Sequence, residues 1–299
     1  MLSPSTMAKK TMTSIPFCKF HGFGNDYIVV ERAKLALTVD LSEFAKAICQ
    51  RHTGAGADGV AIVGETQDTG ADLFCEIINP DGSIAGFSGN GTRCAAAYLY
   101  HKELWSEPEL RLETRSGVNS FRLIERPNPT SYMFEAGIGK PRFSNEEVPV
   151  HTDGPRDAVV NEPITIDGRQ YHFSAINVGN PVACIFVDEF SFDWQPIGRS
   201  MEVHEVFPER SNIVFIKIAD RQNINIRIWE RGAGETSASG TCSAGAAVLS
   251  AFLLKTDRAV SVHSAGGTTQ VLWRKDDEIV LTGRADLAYC GEWPLLNLT

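Results

Sequence analysis

Positive charge, long apolar runs and closely spaced cysteines are what this sequence has least of. It has 28 Lys and Arg against 37 Asp and Glu over 299 residues, a formal net charge of −9. That balance argues against a nucleic-acid groove or an anionic membrane surface as the main partner, and leaves room only for a local basic pocket. No apolar run approaches the roughly 20 residues of a membrane span. The opening "MLSPSTMAKKTMTSIPF" lacks an apolar signal core, so a cytoplasmic protein is expected. Met7 and Met12 offer alternative starts, and the first residues are expected to be loose. The seven cysteines, Cys18, Cys49, Cys75, Cys94, Cys184, Cys242 and Cys290, are odd in number and contain no CxxC pair. That excludes a disulfide framework or zinc knuckle; buried free thiols and no metal site are expected.

What is present is ordinary globular composition, 43% hydrophobic and 22% charged. The length points to about two domains. Short β-rich runs dominate: "FCKF", "YIVVE", "GVAIV", "LFCEII", "LRLET" and "SFRLI" in the first half, and "YHFSAI", "ACIFV", "NIVFIKI", "INIRIW", "AVSVH", "TQVLW" and "EIVLTG" in the second. "DLSEFAKAICQRH" reads as a helix with Asp40 as cap and Glu43 three residues later. "QPIGRSMEV" reads as a short helix with Pro196 near its start. Six prolines between residues 126 and 163 predict a crossing segment with surface loops.

Two stretches resemble each other. "FSGNGTRCAAAYLY" and "ASGTCSAGAAVLSA" each set a serine and a glycine before a helix of small residues. Each helix can pack closely as the centre of one domain, and two such domains can aim their helix starts at one cleft. A helix N-terminus presents unpaired N–H groups and partial positive charge, which suits a carboxylate. Charge developing on that carboxylate when an α-proton leaves would be stabilised in the same place. One group at each helix start would then face the α-carbon from opposite sides. The bland alternative is that Ser88 and Ser239 are simple N-caps, since serine is among the best.

At these motifs the chain resembles the diaminopimelate epimerases, cofactor-free amino-acid epimerases. The likeness runs from about Phe17 to Trp293 through "KFHGFGNDYIVVE", "RHTGAGADGV", "INPDG", "GNGTRC", "GIGKPRF", "NVGNP", "ERSNIVFI", "ERGAGETSASGT" and "GGTTQVLW". It implies an α/β (α+β) fold of two pseudo-symmetric domains, each a curved mixed sheet wrapped around a central helix. The N-terminal domain would span 14–133 plus 285–299 and the C-terminal domain 134–284. It implies interconversion of L,L- and meso-diaminopimelate by proton transfer at the α-carbon, without cofactor, metal, nucleic-acid or membrane partner, in an enzyme that closes on its ligand and forms a homodimer.

Position by position, Asn25, Asn79, Asn180 and Asn212 match substrate-binding asparagines, and Glu230 and Arg231 match a Glu-Arg pair. Arg231 would clamp the distal carboxylate. Gly89, Asn90, Gly240 and Thr241 would offer backbone N–H groups to the reacting carboxylate. Turn chemistry accounts for "GN" and "NPDG" equally well, and a surface ion pair for Glu230–Arg231.

The departures are specific. Ser88 and Ser239 stand where the family has its two catalytic cysteines, Val182 replaces the histidine of "GNPH", and Gly59 replaces a glutamine. A thiol titrates near ~8.5 and a serine hydroxyl far higher, so a serine needs an adjacent base. Glu230 is the candidate base. A racemase or lyase acting on another amino acid, and a ligand-binding protein without catalysis, are the alternative readings.

Overall fold

The computed structural model describes residues 14–85 and 88–295; the expected loose start lies at residues 1–13, outside them. The first half runs β1 (Ser14–Gly22), β2 (Asn25–Glu31), α1 (Leu41–Ile48), β3 (Gly59–Gly64), β4 (Leu73–Ile78), α2 (Gly89–His101), β5 (Glu109–Thr114), β6 (Gly117–Asn128) and β7 (Ser131–Gly137). The second half runs β8 (Val159–Ile166), β9 (Arg169–Asn177), β10 (Pro181–Phe186), α3 (Trp194–Glu202), β11 (Asn212–Ile218), β12 (Asn223–Glu230), β13 (Gly234–Thr236), α4 (Gly240–Phe252), β14 (Ala259–Ser264) and β15 (Gly267–Trp273). The long β16 (Ile279–Pro294) belongs to both.

The duplication is deeper than the two small-residue helices. In the first half the parallel pairs β2–β3 and β4–β5 are bridged by α1 and α2. In the second, β10–β11 and β12–β14 are bridged by α3 and α4. A parallel pair requires such a crossover. The remaining pairs are antiparallel, and among the described residues all strands join in one continuous sheet that β16 carries from one half into the other. Each half thus wraps its own mixed, curved part of the sheet around a central helix.

Alternation along the strands sorts the core. Val29, Ala61 and Val63 face α2, while Ile28, Val30, Val60 and Ile62 face α1 with Phe44 and Ile48. In the second half Val214 and Ile216 face α4, while Ile213 and Phe215 pack with Trp194 and Met201 of α3. Both sheet faces are covered, which is why "YIVV" and "NIVFI" read as unbroken apolar runs. α2 and α4 are buried almost throughout. Their small residues permit this: a Cβ on Gly91 would crowd Ile77 and Tyr27 at 2.9 Å, and one on Gly245 would crowd Val182 at 3.1 Å.

β16 ties the halves. Its first part pairs with β15 and β7, and from Asp286 to Pro294 it pairs with β1, closing the first sheet on itself. The expected boundaries at 133/134 and 284/285 therefore fall inside β7 and β16 rather than between elements. The proline-rich segment 126–163 is also more ordered than its composition predicts. It contains the end of β6, all of β7 and the start of β8, with Pro163 in a β8 that, among the described residues, has β9 as its only neighbour in the sheet order. α1 ends at Ile48, short of the expected reach to His52; Asp40 caps it by accepting from the backbone N–H groups of Ser42 and Glu43.

The seven cysteines are not all free. Cys49, Cys75, Cys94, Cys184 and Cys242 are buried thiols, but Cys18 and Cys290 face each other across β1 and β16 and form a disulfide. Among the described residues no helix is long and apolar enough to cross a membrane.

A wedge joins the β1–β2 turn to the second half. Phe23 and Gly24 both take positive φ, at 56° and 87°, as a tight two-residue hairpin requires. The buried Phe23 ring lies against Gly267, the first residue of β15, and its carbonyl against Gly266 in the β14–β15 turn. "HGFG" and "GGTT" are thus two sides of one contact. Gly266→Ala would drive its Cβ into the Phe23 carbonyl oxygen. Denaturant unfolding is expected to show a loss of about 1–3 kcal/mol; unchanged stability would contradict this packing.

Candidate active site

The starts of α2 and α4 open on one cavity of about 640 Å³ between the two halves. Its wall includes Ser88, Gly89 and Asn90 from one helix start and Ser239, Gly240 and Thr241 from the other. The first N–H groups of a helix have no intrahelical acceptor, so both ends offer donors and partial positive charge to the same space.

The two serines are N-caps in position but differ in bonding. Ser88 Oγ accepts from the Gly91 N–H at 3.0 Å and shares a 2.8 Å hydrogen bond with the Tyr27 hydroxyl. Burial pushes the Tyr27 phenol up to about 12, so this pair is neutral at physiological pH. Ser239 makes no capping bond. Its hydroxyl donates instead to Glu230 Oε2 at 3.1 Å, and the Thr236 hydroxyl donates to Oε1 at 2.6 Å. Burial raises the Glu230 carboxyl above its ordinary 4.5, against the lowering effect of these two hydroxyls. One face of the cavity thus carries a carboxylate-backed hydroxyl, the other a hydroxyl pair with no base.

The buried thiols do not substitute for a reactive cysteine. Burial pushes Cys94 up to about 12 and Cys242 well above 9.0. Both are fully buried in the cores around α2 and α4. Val182, where the family histidine would stand, is also fully buried and packs behind Gly245, not on the cavity wall.

The asparagines divide by what they touch. Asn25, Asn79, Asn90 and Asn180 line the cavity. Asn25 donates to Asp58 at 2.9 Å and accepts from Asn90 at 3.0 Å, so these two amides largely brace each other. Asn79 donates to Ser83 at 2.9 Å within its own turn. Asn180 Oδ1 is buried without a hydrogen-bond partner among the described residues. Asn212 departs from expectation: it is 3% exposed and does not line the cavity. Its amide donates to the Pro181 carbonyl at 3.0 Å and accepts from the Arg231 N–H at 3.0 Å. Both ends are spent on holding the two segments that carry Asn180 and Arg231.

Arg231 lines the cavity and donates from Nη1 to the Glu209 carbonyl at 2.9 Å. It makes no ion pair with Glu230. The loop carrying it is fixed by the buried Glu202, which accepts from the Gly232 N–H at 2.8 Å and from Trp229 at 2.9 Å.

Six polar lining residues escaped the sequence reading as site groups: Tyr27, Asp58, Arg93, Asn119, Thr236 and Ser237. Arg93 matters most. It is 6% exposed, donates to Asn90 Oδ1 and to the Arg284 carbonyl, and burial lowers its pKa. Among the described residues no carboxylate pairs with it, so a buried cation borders the cavity. Its position inside the quoted "GNGTRC" was the available signal; its direction was not.

The comparisons agree with this fold. The sequence profile described as Diaminopimelate epimerase matches residues 17–137 and 174–288. The diaminopimelate epimerase of Caldanaerobacter subterraneus subsp. tengcongensis is 38% identical over 277 residues, covering 92% of this chain and 98% of that relative. That of Moorella thermoacetica is 36% identical over 281 residues, with 93% and 99% covered. Among solved structures, a hydroxyproline epimerase from Agrobacterium vitis with bound trans-4-hydroxy-L-proline superposes with a TM-score of 0.66 at 16% identity, covering 95% of this chain and 94% of that one. A Bacillus anthracis protein of the phenazine-biosynthesis PhzF family gives 0.65 at 18% identity, covering 94% and 99%. An isomerase fold of the epimerase and racemase type, duplicated around two helix starts, is thus joined to sequence likeness over nearly its whole length: this chain belongs to the diaminopimelate epimerase family.

Proposed function

We propose that the protein is a cofactor-free isomerase that binds a diaminopimelate-like diamino dicarboxylic acid in the cavity and moves its α-proton. The observation that carries this reading is the meeting of two helix N-termini, Ser88 at one and Glu230-backed Ser239 at the other, in one cavity. The paired N–H groups suit the α-carboxylate and the enediolate charge that forms when the proton leaves. Asn180 Oδ1 is an unspent acceptor for an ammonium group. Arg231 supports binding of the distal carboxylate, and the unpaired Arg93 favours an anionic ligand overall. Lysine biosynthesis, a cytoplasmic location and a homodimer belong to the same proposal through the family likeness.

The bonding of the serines sets the chemistry. Ser239 Oγ takes the α-proton as it passes its own to Glu230. On the other face Ser88 delivers a proton and is refilled from Tyr27. With a phenol near 12 opposite a carboxyl, full inversion leaves a protonated Glu230 and an ionised Tyr27, which is uphill. Return of a solvent-exchanged proton from Glu230 to the original face avoids that state. Exchange with retention therefore outruns inversion, and both are slower than with a thiol pair.

The test is incubation of L,L- and meso-diaminopimelate in D2O, following α-deuterium by NMR and configuration by chiral derivatisation. Deuterium incorporation exceeding inversion is expected, with both gone in Ser239→Ala. Ser88→Cys combined with Ser239→Cys should raise inversion at least tenfold. No deuterium above the enzyme-free control, despite ligand binding by calorimetry, would leave only a binding protein. No binding at all would refute the substrate reading.

Glu230 supplies a pH signature. The exchange rate should fall as acid protonates Glu230, on a limb lying above 4.5, and Glu230→Gln should abolish that limb with the activity. The folded pKa lies above the unfolded one. The stability tied to the neutral carboxyl is therefore present below the unfolded value and lost as pH rises through the folded value. Denaturation across pH should show Glu230→Gln gaining on the wild type over that window; parallel curves would contradict the shift.

A further inference from the structure

A second cluster of reactive groups stands outside the cavity. Cys18 on β1, His101 at the end of α2 and Cys290 on β16 bring one ligand atom each within 4.8 Å of one another. The strand register sets the two cysteines directly opposite, where they form the disulfide. His101 is held by a specific partner. Its Nδ1 lies 3.1 Å from the Tyr132 hydroxyl, which accepts from Arg126 Nη2 at 3.1 Å and donates to the Pro129 carbonyl at 3.3 Å. With its own proton directed at that carbonyl, the Tyr132 oxygen accepts from His101, which places the imidazole proton on Nδ1. Nε2 keeps its lone pair, the arrangement in which a histidine serves as a metal ligand.

We propose that, once the disulfide is reduced, Cys18, Cys290 and His101 Nε2 form a three-ligand site for a thiophilic divalent cation of the zinc class. Two sulfurs and one imidazole are a donor set that such ions favour over carboxylates and carbonyls. Bond lengths of ~2.3 Å to sulfur and ~2.0 Å to nitrogen put tetrahedral ligands about 3.5–3.8 Å apart, so the two sulfurs, bonded to each other here, must separate to that spacing on reduction, while all three donors already lie within 4.8 Å. Two thiolates balance the charge of the ion, and a water completes the fourth position. Cys290 is exposed and His101 half-buried, so the ion has an entry route. Formation is balanced: an added phosphine or dithiol supplies two electrons, two protons convert the S–S bond to two thiols, and the cation displaces both protons as two S–metal bonds form. The bound ion would tie the end of α2 to the β1–β16 seam that closes the first sheet. The sequence expectation of no metal site rested on CxxC spacing, and these three donors come from three separate elements.

Cobalt(II) is the probe. The full chain, reduced with a phosphine that is then removed, is titrated with cobalt and the sulfur-to-cobalt charge-transfer band is followed, with zinc as competitor. One cobalt per chain, displaced by zinc and absent from the oxidised protein, is expected. Cys290→Ser and His101→Gln should each weaken binding at least tenfold while leaving the circular dichroism spectrum unchanged. In the wild type, zinc should also protect Cys290 from alkylation, read by mass spectrometry; the five remaining thiols are buried and do not compete. Absence of the thiolate band in the reduced wild type, or undiminished binding in Cys290→Ser, would overturn the site.

Discussion

Two sets of helix-terminal N–H groups, aimed into one cavity, are the constraint on which this structure turns. Neither set has an intrahelical acceptor, and both helices are buried behind their first residues, so apart from the Gly91 N–H, which Ser88 caps, the donors must be satisfied by solvent or by an anion. The small residues of α2 and α4 let the strands approach closely enough to hold both ends in place. The long β16 then fixes the halves relative to each other by pairing with β15, β7 and β1. An enediolate-forming carboxylate is the ligand for which this arrangement does most, because its charge grows during the reaction where the donors converge.

Within that symmetric frame the chemistry has become asymmetric. Ser88 spends its lone pair on an ordinary cap and meets only a neutral phenol. Ser239 gives up capping and leans on a buried carboxylate. A thiol pair needs neither support, since each sulfur ionises or protonates near neutral pH by itself. In the proposed reaction, hydroxyls in place of a thiol pair move the burden of basicity to Glu230, among the described residues the one carboxylate bonded to a serine at a helix start.

Much of this was legible in the sequence, for identifiable reasons. The two small-residue helices were readable because their pattern repeats, and the strands because alternation and apolar runs are local signals. What escaped was tertiary. The α1 and α3 crossovers share no obvious pattern, so half of the duplication was hidden. β7 and the start of β8 were masked by proline counting, although Pro163 sits in a strand with one neighbour, where a missing N–H is tolerated. Asn212 matched a binding position, yet its side chain is turned to the backbone of Pro181 and Arg231, which only the fold reveals. Arg93 was quoted within a motif, but nothing local says that its guanidinium lacks a carboxylate. Cys18 and Cys290 are 272 residues apart and meet only because the last strand returns to the first.

The central claim is that both helix starts hold one carboxylate with the α-carbon between the two serines. A crystal structure of the protein with bound diaminopimelate tests it most directly. The expected result has one ligand carboxylate within hydrogen-bond distance of the N–H groups of Gly89 or Asn90 and of Gly240 or Thr241. In the same complex the α-carbon lies between Ser88 Oγ and Ser239 Oγ. A ligand whose carboxylates touch neither helix start, or whose α-carbon faces neither serine, would contradict it.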